Sequence, residues 1–173
     1  MGMFLTVDET FSSPYNFFKE VLTMPGKLER SRRASMFPSL ILVVEDDDDT
    51  RLMLKYLLEV WNYQVLEAET DDEVFQAAIH YRPDLILMSI NDIERKTERL
   101  AISRRMRDIE SLAQAVIVFV SAYSDEKTRD AAFAAGGDDY LVKPINFGLL
   151  EKRLENHLRV NAKSKEVPIG KFL

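Results

Sequence analysis

Five consecutive acids, Glu45-Asp46-Asp47-Asp48-Asp49, follow an apolar run and lead into a helical pattern. Carboxylates clustered in this way suit a hard divalent cation, since Mg²⁺ is usually held by one or two carboxylates plus waters. They equally suit the start of a helix, where acids cap free N–H groups and meet the positive end of the dipole, and Asp47–Asp49 are read in that role. Far along the chain Lys143 stands before Pro144, and a salt bridge from Lys143 to Asp46 is the expected fate of both residues. Hydroxyls stand at Ser89, ahead of Asn91-Asp92, and at Ser121. A serine hydroxyl is a weak nucleophile unless a neighbouring base activates it. His80 and His157 both fall within helical stretches, away from any strand-end loop. The absence of cysteine excludes disulfides, thiolate zinc sites and thiol catalysis.

These residues need elements to hold them. Leu40–Val44 reads as a strand apolar on both faces, the pattern of a parallel sheet covered by helices on each side. Met53, Leu54, Leu57, Leu58 and Trp61 make the apolar stripe of a following helix. Gln64–Glu67 predicts a second strand and Asp71–Tyr81 a second helix. Pro83 breaks the chain before a third strand at Leu85–Met88. A charged helix with a weak stripe is expected over residues 94–109, and Ala115–Val120 is the clearest strand. Ser124 is a plausible cap for a helix through Ala135 that Gly136 ends in a left-handed conformation. Tyr140–Val142 is the fifth strand, and Phe147, Leu150, Leu154 and Leu158 share one face of the last helix. Five such units predict a doubly wound α/β fold, with function in the loops beyond the carboxyl ends of the strands.

The segments ILVVEDD, PDLILMS, VFVSA and YLVKP stand at the ends of strands one, three, four and five. In order and spacing they resemble the response-regulator receiver family of two-component phosphorelay signalling, CheY-like domains, over residues 40–158. The resemblance implies a flavodoxin-like parallel sheet of order 2-1-3-4-5. It places Glu45 and Asp46 as the Mg²⁺-holding acids, with a carbonyl from Asn91. Ser121 takes the place of the phosphate-contacting hydroxyl, Lys143 that of the lysine, and Tyr140 that of the aromatic switch. A cis Lys143–Pro144 bond is also implied, cis bonds being essentially confined to proline. Ser121 has the alternative of merely ending a strand, and Tyr140 that of core packing.

At the position of the acceptor aspartate this chain has Ser89. The loop beyond it has Ile93 where the family usually has proline, and Glu94–Glu98 lacks the family's glycine. The expectation is therefore an atypical receiver, not an enzyme, acting as a phosphorylation-independent interaction module with Mg²⁺ binding weak or lost. The alternative is a receiver that uses Ser89 or Asp92 as substitute acceptor, although Asp92 lies ~10 Å of extended chain from Ser89 at ~3.3 Å per residue. A sensor kinase or downstream effector is the expected partner. The fourth helix, fifth strand and fifth helix, by resemblance, form the partner or homodimer face.

The domain limits read as an extension over 1–38, the receiver over 39–160 and a polar tail over 161–173. The extension holds five Lys/Arg against four Asp/Glu, a balance of +1 that leaves −7 for the rest. Within it Phe11, Tyr15, Phe18 and Leu22 form a stripe consistent with a helix between Pro14 and Gly26. That helix packs on its own domain, binds a partner, or is itself the functional element on a receiver scaffold. Arg32-Arg33-Ala34-Ser35 weakly resembles a basophilic kinase target. Only a short tail follows the last helix, so a stand-alone receiver is expected. Net charge of −6 argues against a dedicated nucleic-acid surface. No apolar run nears the ~20 residues that cross a membrane and no secretory signal is visible, so a cytoplasmic location is expected.

Overall fold

The computed structural model describes residues 38–165, with side chains through Arg159. Residues 1–37 of the extension, with its apolar stripe and the kinase-like motif, and the residues after 165 lie outside the described residues. Five strands alternate with five helices: β1 (Leu40–Val44), α1 (Asp48–Val60), β2 (Gln64–Ala68), α2 (Asp71–Tyr81), β3 (Leu85–Ile90), α3 (Ile93–Arg107), β4 (Val116–Ser121), α4 (Glu126–Ala134), β5 (Asp139–Val142) and α5 (Phe147–Lys165). The sheet is wholly parallel, in the order β2-β1-β3-β4-β5. This is the doubly wound, flavodoxin-like fold that the sequence predicts.

Side-chain alternation along each strand divides the interior in two. Ile41, Val43, Leu85, Leu87, Val116, Val118, Val120 and Leu141 face α1 and α5, where they pack on Leu54, Leu57, Leu58, Leu150 and Leu154. Leu42, Val44, Ile86, Met88, Ile90, Ile117 and Phe119 face α2, α3 and α4, on Val74, Ala78, Leu100, Met106 and Ala132. β3 and β4 are buried throughout and β1 in all but its first residue, which accounts for the continuous apolar runs.

Local chemistry sets the ends. Asp47 caps α1 by accepting from the Thr50 N–H, as its position before the helix predicts. Thr70 and Glu73 form a reciprocal capping box on α2. The cap of α4 is Asp125, accepting from the Thr128 N–H, and not Ser124; three residues separate Asp125 from that donor, the spacing a cap requires. Gly136 is left-handed, with φ +93°, and ends α4 as expected. A Cβ there would lie 2.6 Å from Cγ of Arg107, whose guanidinium holds the Gly136, Ala113 and Ala115 carbonyls. Several element boundaries differ from expectation, β3 and α5 among them. β3 runs two residues further, so Ser89 and Ile90 pair with Val120 and Ser121 inside the sheet. α5 continues to Lys165, five residues past the expected end of the domain.

Candidate functional site

Glu45 leaves the end of β1 on the face shared by Ile41 and Val43, and is fully buried at 0 % exposure. Ser89 (2 % exposed) has the parity of Leu85 and Leu87, and Lys143 that of Leu141, so all three converge on one side of the sheet. Glu45 Oε2 accepts from the Ser89 hydroxyl and from Lys143 Nζ, the latter at 2.9 Å. Its Oε1 accepts from Asn91 Nδ2 at 2.8 Å and the Asp47 N–H at 3.1 Å. The Asn91 amide closes the ring, its Oδ1 accepting from Lys143 at 2.6 Å. Burial on its own would push the Glu45 carboxyl up. The hydrogen bonds from Lys143, Ser89 and Asn91 and the ammonium charge outweigh it and hold the group below the ordinary glutamate value.

Asp46 has the opposite parity and faces α3. The expected Lys143–Asp46 salt bridge is therefore not formed: Lys143 pairs with Glu45, because residues 45 and 143 share a face and 46 does not. Asp46 Oδ1 accepts from Arg99 Nη2 at 2.6 Å, and Arg95 Nε lies 3.5 Å from Oδ2. Arg99 is fully buried and its other arm bonds Asp71 at the start of α2, while Nη2 also donates to the Glu69 carbonyl at 3.1 Å. Sequence reasoning missed Arg99. Its signal was present: it shares a helical face with Ile102 and Met106, at i, i+3 and i+7.

The remaining candidates lie apart from the Glu45 cluster. Ser121 Oγ accepts from the Tyr123 N–H at 3.1 Å. The Tyr140 ring packs, half-buried, against the α2–α3–α4 core, and its hydroxyl donates to the Tyr123 carbonyl at 2.7 Å. Burial raises the Tyr140 hydroxyl above its ordinary value, with a bond to Ser121 acting the other way. The Lys143–Pro144 bond is cis. Asp92 is the cap of α3, its carboxylate accepting from the Arg95 N–H at 2.8 Å. His157 meets Asp139 on α5 and β5, outside the cluster.

A carboxylate offers about four lone-pair directions. All of those on Glu45 are taken by the four donors above, and both oxygens of Asp46 face guanidinium groups. Mg²⁺ needs free carboxylate oxygens in near-ideal octahedral geometry. The residues present do not fit that ion, and no group of three or more acidic, His or Cys ligands that could hold a metal occurs among the described residues. What the arrangement does offer is a charge-compensated, hydrogen-bonded cluster at the carboxyl end of the sheet.

Comparison with known proteins agrees with this architecture. Residues 41–155 match the model of the response regulator receiver domain. The KDP operon transcriptional regulatory protein KdpE of Escherichia coli is 33% identical over 133 residues, 76% of this chain and 57% of that protein. The phosphate regulon transcriptional regulatory protein PhoB of Pseudomonas aeruginosa is 30% identical over 124 residues, 72% of this chain and 53% of that protein. The chain thus matches little more than half the length of these relatives. Among solved structures, a response regulator from Thermotoga maritima superposes with a TM-score of 0.63 at 24% identity, covering 71% of this chain and 99% of that one. A CheY-like receiver domain from Methanospirillum hungatei gives 0.65 at 23%, covering 74% and 99%. At those identities the two structures speak for the fold alone. With the family match and the sheet order in agreement, the chain belongs to the response regulator receiver domain family.

Proposed function

We propose that this receiver works as an interaction module whose signalling does not depend on its own phosphorylation. The observation that carries the reading is the Ser89 hydroxyl, which stands at the expected acceptor position as a hydrogen-bond donor to Glu45. A phosphoacceptor has to offer a nucleophilic oxygen, and here no carboxylate occupies that place. Glu45, held below its ordinary pKa, is a poor base for activating the serine. Asp92 is occupied as a helix cap, which disfavours its use as a substitute acceptor.

In this reading the domain is a cytoplasmic signalling protein that is not an enzyme, and its partner is a sensor kinase or a downstream effector. The relatives named above are transcriptional regulatory proteins, which supports a role in signalling. The contact face we favour is α4–β5–α5. Among the described residues its elements expose Phe133 (44 %), Val142 (43 %) and Leu149 (43 %). A homodimer through the same face is compatible with this. No described helix is long and apolar enough to cross a membrane.

Intact mass spectrometry after incubation with a small phosphodonor and Mg²⁺ tests the reading. The expected spectrum is unchanged. A stable adduct of one phosphoryl group on the native protein, lost in a Lys143→Ala variant, overturns it in favour of a substitute acceptor.

A further inference from the structure

We propose that Arg99 is the resident cation of the acidic cluster, a guanidinium that takes the place of a divalent ion and keeps one out. Arg99 is fully buried and meets three oxygens from two loops: Asp46 Oδ1 after β1, the Glu69 carbonyl after β2, and Asp71 Oδ1 at the start of α2. Carboxylates and a carbonyl converging from separate loops are the oxygen ligands a hard cation takes. A planar guanidinium can serve two of them at once from one rigid fork. Charge agrees with the geometry. Glu45 is paired with Lys143, Asp71 with Arg99, and Asp46 with Arg99 and more distantly Arg95, so each of these carboxylates already has a cationic partner.

The Nε of Arg99 has no hydrogen-bond partner and is buried. A buried N–H left unpaired is unfavourable. A residue whose purpose was hydrogen bonding would be expected to use it, whereas one retained for its charge need not. Arg99 thereby ties α3 to the β1–α1 and β2–α2 loops by a contact that needs nothing from solution. This inference concerns the cation and extends the reading above. It can fail while the mass experiment succeeds, and the reverse.

The test uses the full chain with Mn²⁺ as probe, read by electron paramagnetic resonance, and thermal unfolding in EDTA against Mg²⁺. The wild type is expected to bind no Mn²⁺ at the site and to melt at the same temperature in both buffers. Arg99→Gln and Arg99→Ala should tighten Mn²⁺ binding on the order of a hundredfold, since a like charge beside the ion is removed. They should also melt higher in Mg²⁺ than in EDTA, with NaCl of matched ionic strength unable to substitute. Arg99→Lys, which keeps the charge, should remain indifferent to the ion. Wild-type Mn²⁺ binding that Asp46→Asn abolishes overturns the proposal, as does an Arg99→Gln protein that binds no better than wild type. Should Arg99→Ala and Arg99→Gln stay unfolded even in Mg²⁺, the proposal also fails, because the ion ought to restore what the guanidinium supplied.

Discussion

Replacing Lys143 by methionine keeps most of the side-chain volume and removes the ammonium that sits 2.9 Å from Glu45 Oε2. Breaking a buried ion pair by deleting one partner costs ~3–5 kcal/mol. Glu45 would keep its bonds from Ser89, Asn91 and the Asp47 N–H. The lower end, about 3 kcal/mol, is therefore expected at neutral pH. For a domain of this size that corresponds to a fall of roughly 10 °C in Tm. The pH dependence follows from the direction of the Glu45 shift. Its folded-state pKa is depressed, so its contribution is present above the ordinary value of 4.5 and is lost as pH falls through the lower folded value. In the variant the hydrogen bond and charge of Lys143 no longer hold the carboxyl down, so its pKa rises and the folded state takes up a proton more readily as the pH falls. The gap between variant and wild type should thus be widest at neutral pH and narrow towards about pH 4. Urea unfolding at both pH values, with Glu45→Gln completing a double-mutant cycle, measures it. A neutral-pH cost under about 1 kcal/mol, the range of an exposed pair, or a gap that does not narrow in acid, refutes the argument.

Ser89→Asp places a second carboxylate against the buried Glu45 and removes a donor from it. A loss of about 2 kcal/mol at neutral pH is expected from the like-charge contact, relieved in acid. Urea midpoints at neutral and acid pH check it, and unchanged or increased stability would count against the assigned geometry. Gly136→Ala meets both a left-handed φ and the Arg107 side chain. The backbone conformation alone should cost ~1–2 kcal/mol, measurable as a lower Tm.

Much of the fold was legible because the strongest signals are local. The runs of β1 and β4 are apolar on both faces since helices cover both faces, and Gly136 ends α4 because a side chain would be strained there. The positions of Glu45 and Lys143 just beyond their strands were legible too, whereas Ser89 lies within β3. Their pairing was misread for want of parity: counting in twos from Val43, Leu87 and Leu141 puts residues 45, 89 and 143 together and sends Asp46 to the other side. Arg99 was hidden in a helix whose charged residues, Arg95, Lys96, Glu98, Arg104, Arg105 and Arg107 among them, blur the stripe it belongs to. Arginine is almost never fully buried unless paired, so composition directs attention away from it. The cap at Asp125 was missed by one residue, which is within the uncertainty of any helix end.

The contact between Glu45 and Lys143 joins positions 98 residues apart. Such a bridge closes only when the first strand and the last have both been added to the growing sheet, and contacts of that sequence separation are slow to form. Its energy therefore accrues late on the folding route, where an interaction restrains escape from the native state more than it speeds arrival there. The Lys143 ammonium would then act as a clasp on the lifetime of the fold.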